Sequence, residues 1–105
     1  MIVRTWRGTA TTVNADSYQQ HFTTNVVPHL NDIDGHRGAY LLRRELDGQV
    51  EFLAVTLWES METIREFAGA KPEVAIVEPE ARAVLSGFDD FAHHYEVAYS
   101  SIQSV

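Results

Sequence analysis

Hydrophobic and polar positions alternate with period two over residues 2–11, IVRTWRGTAT. This predicts a strand with Ile2, Arg4 and Trp6 on one face and Val3, Thr5 and Arg7 on the other. The period then changes. Asn14 stands as a candidate N-cap with Asp16 in the first turn, and Tyr18, Phe22, Val26, His29 or Leu30, and Ile33 recur at helical spacing. An amphipathic helix is predicted over 15–31, kinked or restarted near Val27, because Pro28 removes a backbone donor. Asp34-Gly35 turns the chain. Residues 37–46 and 49–58 flank Asp47-Gly48, a strong signal for a two-residue hairpin. In the second of these strands Val50, Phe52, Ala54, Thr56 and Trp58 point one way and Leu53, Val55 and Leu57 the other, so both faces need cover. Ser60 caps a predicted second helix with Met61, Ile64, Phe67 and Ala68 on one side and Gly69 as its stop. Thr63 at its third position leaves no full capping box. Pro72 and Pro79 divide the next stretch of chain into short helical pieces with Ala81, Val84, Leu85 and Phe88 as the apolar side. Asp89-Asp90 makes a turn, 91–99 (FAHHYEVAY) is the last predicted strand, and 100–105 is a polar, loose tail.

The predicted order is β-α-β-β-α-β, the α+β ferredoxin-like plait, in one domain over residues 1–99. It places both helices on one face of a four-stranded antiparallel sheet. The apolar second face of the third strand lies beyond their reach, and a partner sheet is the simplest cover. A homodimer, closing into a dimeric α+β barrel, is therefore expected from packing.

Composition narrows the function. The 105 residues hold no cysteine, which excludes thiol catalysis, a thiolate metal site and a disulfide framework. The net charge of −7 argues against nucleic-acid binding, and it is uneven. Residues 1–50 carry five basic and five acidic groups, whereas residues 51–105 carry three and ten. No apolar run approaches the roughly 18 residues of a membrane span, and MIVRTWRGTA lacks the apolar region of an export signal. A cytoplasmic protein is expected. No phosphate loop, hydrolase elbow or zinc spacing is present, and Asp32-x-Asp34-Gly35 lacks the other ligands of a calcium loop. No metal site is expected.

The order of elements, the passage LWESMETIREFAGA and the ending AHHYEV resemble the antibiotic-biosynthesis-monooxygenase-like family, over about residues 2–99. The resemblance implies a dimeric α+β barrel and a group that includes cofactor-independent quinone-forming monooxygenases and haem-degrading monooxygenases. Haem-degrading members carry an Asn on the first strand, a Trp on the second helix and a haem-binding His soon after. The matching positions here are Trp6, Phe67 and the segment 72–80, PEVAIVEPE, which has no histidine. Haem degradation is disfavoured, and no cofactor is expected. In the quinone-forming members a pocket Trp at the end of the third strand matches Trp58. Their Asn four residues earlier is Ala54, and their helix Tyr falls near Ile64.

Two histidines are candidate catalytic bases. His93 and His94 are strand neighbours, so they point to opposite faces and do not chelate one metal. His94 is favoured for the cavity, because the HYEV ending belongs to the resemblance. His29 lies on the apolar stripe of the first helix. Neutral imidazole is the natural base near neutral pH; the plainer alternative for each is a hydrogen-bonded structural residue. His21 and His36 are expected at the surface. Trp6, Tyr18, Phe22, Tyr40, Trp58 and Phe67 could line a flat slot for a planar aromatic ligand, or simply form an aromatic core. Arg43 and Arg44 lie on opposite strand faces, where one could pair with a ligand carboxylate or phenolate. Glu59, Glu62 and Glu66 form a solvent-facing helix stripe. Two functions remain: a small cofactor-independent monooxygenase-like enzyme acting on a phenolic or polycyclic, quinone-type aromatic through a histidine base, and a non-catalytic ligand-binding or structural dimer.

Overall fold

Three long strands dominate the computed structural model, which describes residues 1–102: β1 (Ile2–Thr11), β2 (His36–Leu46) and β3 (Gln49–Trp58). Two short ones, β4 (Gly87–Phe88) and β5 (His93–Glu96), complete the antiparallel sheet. β3 lies between β2 and β1, and β4 and β5 share the other edge of β1, opposite Gly8–Thr9 and Ile2–Thr5. The hairpin forms at the predicted place. Asp47 (φ 54°) and Gly48 (φ 76°) are both left-handed, as a type I′ turn requires. Leu46 opposes Gln49, so the even residues of β2 from Gly38 onward oppose the odd residues of β3.

The expected helix over 15–31 forms in three parts: α1 (Ala15–His21), a π-helical turn (Phe22–Val26) and α2 (Val27–Asn31). Pro28 explains the restart. It cannot donate to Thr24, and its ring would strike that carbonyl in a regular α-helix. The wider turn, in which the Val27 N–H donates to the Phe22 carbonyl, relieves the conflict. It also keeps Tyr18, Phe22, Val26 and Leu30 on one line, because a π turn cancels the drift that residues four apart have in an α-helix. Asn14 makes no side-chain cap. The other departure runs the opposite way. At the start of α3 (Met61–Ala68), Ser60 and Thr63 form a reciprocal capping box, the threonine hydroxyl serving in place of a glutamate. Gly35 (φ +92°) lets β2 begin close against Thr63, where a Cβ would collide.

The last strand differs from the sequence expectation of 91–99. It starts at Gly87, breaks at 89–92 and resumes as β5. The break has two causes. The Trp6 indole N–H takes the Asp89 carbonyl at 2.8 Å, and residues 90–92 pair with 73–75 instead of β1. Ala75 N–H donates to the Asp90 carbonyl and Ala92 N–H to the Glu73 carbonyl, both at 2.9 Å. Residues 72–78 are thereby stitched as a strap beside β1, leading into α4 (Pro79–Val84).

The helical side of the sheet holds two apolar clusters. One joins Ala10, Tyr18, Val50, Phe52 and Ala81; the other joins Leu30, Trp58 and Ile64. The opposite side carries Val3, Leu53, Val55 and Leu57 with the exposed Tyr40, Leu42 and Tyr95. The predicted tail falls partly on residues 103–105, which lie outside the described ones. No helix among the described residues is long and apolar enough to cross a membrane.

Candidate functional site

A cavity opens between the two apolar clusters. Its floor is Arg4 and Trp6 of β1 with Ala54 and Thr56 of β3; the line Tyr18, Phe22, Val26, Leu30 forms one wall, with His21 beside it. Phe67 closes one end, and Ile76, Val77, Glu78 and Ala81 of the strap and α4 form the mouth. The cavity is open at its mouth, and about 650 Å³ is free of atoms when that solvent-open mouth is counted.

The lining is unusual in one respect. The buried polar residues of the described chain are Arg4, His21 and Thr56, and all line this cavity. Arg4 is only 7% exposed. Its guanidinium lies over the Phe67 ring, 5.4 Å from the centroid, and Nη2 donates to the Pro72 carbonyl at 3.4 Å. Its Nε has no partner, and none of the ion pairs among the described residues involves it. Burial alone lowers its pKa. An unpaired buried charge costs several kcal/mol, which a fold retains only when something offsets it.

His21 is 8% exposed and stands on the wall between this cavity and a groove lined by Gln20, Asn25 and Glu80. The Asn25 side-chain amide donates to its Nδ1 at 3.0 Å. In the neutral ring the proton is then on Nε2, which is buried, without a hydrogen-bond partner, and 3.9 Å from Glu78 Oε2 at the mouth. Thr56 is occupied: its Oγ1 accepts from the Trp58 indole at 2.8 Å and donates to the Arg4 carbonyl at 3.4 Å. Burial pushes the Tyr18 phenol up to about 12, so it stays neutral through the physiological range.

The structure brings together four of the predicted lining residues, Trp6, Tyr18, Phe22 and Phe67. Others require correction. Tyr40 lies on the opposite side of the sheet, because the two-residue hairpin sets it against Val55. Trp58 is fully buried behind the cavity, stacked on Phe67 at 5.9 Å and edge-on to His36 at 5.0 Å. His29 is exposed, beside the outer edge of Phe67 at 5.9 Å, because the π turn carries Leu30 inward in its place. His94 does face the helical side, opposite Arg4, but is not part of the lining. Burial first, then the Arg4 charge and His93, lower its pKa, while Glu73 opposes them. Arg43 is held by Asp16 and Gln19 at 3.0 and 2.8 Å, and Arg44 by Glu51 at 2.7 Å. His36 is part-buried on Trp58, not at the open surface.

Sequence reasoning missed Arg4 and His21. A signal for the first was present, since alternation sets a charge between Ile2 and Trp6 on the inward face. His21 sits three residues after Tyr18 and beside Phe22, the ordinary spacing of one helix face.

No protein-family profile matches the sequence, and no curated protein matches at a significant level. Solved structures do match. An antibiotic biosynthesis monooxygenase structure from Bacillus cereus is 17% identical, with a TM-score of 0.68 and 97% of both chains covered. A variant of MhuD with two manganese protoporphyrin IX molecules per active site is 20% identical, with a TM-score of 0.69, covering 98% of this chain and 100% of that one. The monooxygenase from the gene ActVA-Orf6 of Streptomyces coelicolor, in complex with nanaomycin D, is 15% identical, with a TM-score of 0.64 over 98% of this chain and 92% of that one. The chain has their fold. The resemblance carried by LWESMETIREFAGA and AHHYEV therefore holds at the level of the monooxygenase-like fold.

One of these neighbours holds manganese protoporphyrin IX, and this chain has no histidine where the family resemblance would put a haem-binding one. The segment 72–80 offers no imidazole, and Trp6 and Phe67 stand in the lining of the cavity. Among the described residues no three His, Asp or Glu side chains gather as metal ligands.

Proposed function

We propose that the protein is a small monooxygenase-like enzyme that binds a phenolic or quinone-type aromatic in this cavity and oxidises it with molecular oxygen, without a cofactor. One observation carries the reading: the buried polar residues converge on one cavity whose walls include the rings of Trp6, Tyr18, Phe22 and Phe67. Aromatic walls select a planar ring, and a few unsatisfied polar groups orient it. The chemistry balances within the substrate. At an activated ring methylene, one oxygen atom enters as a carbonyl and the other leaves as water with the two hydrogens of that carbon. The ligand-bound ActVA-Orf6 neighbour makes a quinone-type ligand the first class to try.

The histidine of this site is His21, in place of His94 and His29, because His21 alone of the three lines the cavity, where its Nε2 is free to donate. The homodimer belongs to the same proposal. Val3, Leu53, Val55 and Leu57, flanked by Tyr40, Leu42 and Tyr95, form an apolar sheet face of the kind a second sheet covers.

Oxygen uptake measured with anthrones, against the uncatalysed background, tests the reading. Saturable uptake with quinone as product is expected, and Phe67→Ala should raise KM more than it lowers kcat. Saturable binding with no uptake would leave a ligand-binding protein instead.

A further inference from the structure

The cavity contains donors without acceptors. Arg4 is nine-tenths buried, carries a charge that no described carboxylate neutralises, and spends one N–H on a long contact to the Pro72 carbonyl. His21, equally buried, presents Nε2 with no hydrogen-bond partner, and its Nδ1 is already taken by Asn25. A ligand that merely stacked on the rings would leave both groups unsatisfied. Arg4 has no negatively charged oxygen at all, and His21 has one only at 3.9 Å, beyond hydrogen-bond reach, on the half-exposed Glu78.

We propose that the ligand is a phenol or enol that binds as its oxyanion, held by the Arg4 guanidinium and the His21 Nε2–H. The inference rests on the aromatic-ligand reading above and adds how the substrate is activated. The proton lost is the ligand's own O–H proton, and it passes to water at the mouth of the cavity. The pair of donors takes the place of a general base: it makes the substrate more acidic, and the resulting anion is the electron-rich species that meets oxygen. The charged neighbours support the sign. Glu78 opposes an anion, but its side chain is 47% exposed and screened by solvent, whereas Arg4 is not. Tyr18 is neutral, with its phenol pushed up to about 12. Glu73 and His93 act on His94, beyond the lining.

The sign of a ligand's pKa shift decides the matter. An apolar aromatic pocket raises the pKa of a bound phenol, because burial disfavours the anion. Two positively disposed donors lower it. The probe is 4-nitrophenol, whose phenolate has its own absorption band, titrated against pH with and without saturating wild-type protein. The expected result is a bound pKa at least about one unit below the free value, a tenfold shift in the ionisation equilibrium. Arg4→Met, which fills the space without the charge, should reverse the sign while leaving binding of nitrobenzene within about threefold. Should Arg4→Met fail to fold, the wild-type titration still decides. A bound pKa equal to or above the free value overturns the oxyanion and leaves the aromatic pocket standing. Absence of saturable binding by both nitrophenol and nitrobenzene overturns the oxyanion and the aromatic pocket together.

Discussion

The two faces of the sheet invert the usual rule in opposite senses. On the helical face, where a core is normally dry, Arg4, His21 and Thr56 are buried in a gap between two apolar clusters. On the other face, where a surface is normally polar, Leu53, Val55 and Leu57 line the middle of the sheet, with Tyr40 54% and Leu42 49% exposed beside them. Each inversion costs stability in the isolated chain, by unmet polar groups on one side and hydrated apolar area on the other. Each is removed by a different kind of partner. A small polar-tipped ligand suits the first, a second sheet the second.

The largest test removes the second partner. Val55 lies centrally on the outer face, opposite Tyr40 and Thr5. The wild type is expected to sediment as a dimer at tens of micromolar, burying about 800 Å² per partner. Val55→Glu places a charge in that interface and should yield monomer or aggregate. A wild type that stays monomeric under those conditions ends the two-partner account. Trp58→Ala comes next, on the inner side. Its side chain is fully buried, stacked on Phe67 and hydrogen-bonded to Thr56, so a loss of about 3–5 kcal/mol is expected in denaturant unfolding. Leu42→Ala on the outer face should cost far less in any variant kept monomeric, since half that side chain is already in water. Equal losses would erase the distinction between the faces.

A smaller effect separates them by pH. His36 and His94, both on the inner side, have pKa values below that of free imidazole, chiefly through burial; a backbone hydrogen bond at Gly38 partly opposes this for His36. Their folded values lie below the unfolded one. Each therefore contributes stability that is complete above about 6.5 and is lost as pH falls through the folded value. Thermal unfolding should move to lower temperature between about pH 7 and pH 5, and replacing both residues by glutamine should flatten that limb. An unchanged acid limb would remove them as its cause. The smallest effect belongs to the outer edge, where Glu51 accepts from Arg44 at 2.7 Å and Arg7 at 2.6 Å. These two partners hold its carboxyl below the usual range, the Arg44 hydrogen bond being the largest cause. Glu51→Gln should lower stability slightly near neutral pH and hardly at all in strong salt.

Local sequence determined most of the frame. A two-residue Asp-Gly turn admits one register, period-two runs mark β1 and β3, and a proline inside a helical stripe forces the restart at Val27. The outward position of Tyr40 was legible too, since that register sets it against Val55. Tertiary structure decided the site. Whether Arg4 is solvated or entombed depends on the strap at 72–78 closing over it, and that strap is held by the break in the last strand at 89–92, which no side-chain pattern announces. The choice of His21 over His29 depends on one wide helical turn, and the exclusion of His94 on which residues the strap and Phe67 leave open. Periodicity reports which face a side chain takes. Burial of a charge is set by the segments folded over that face, from far along the chain.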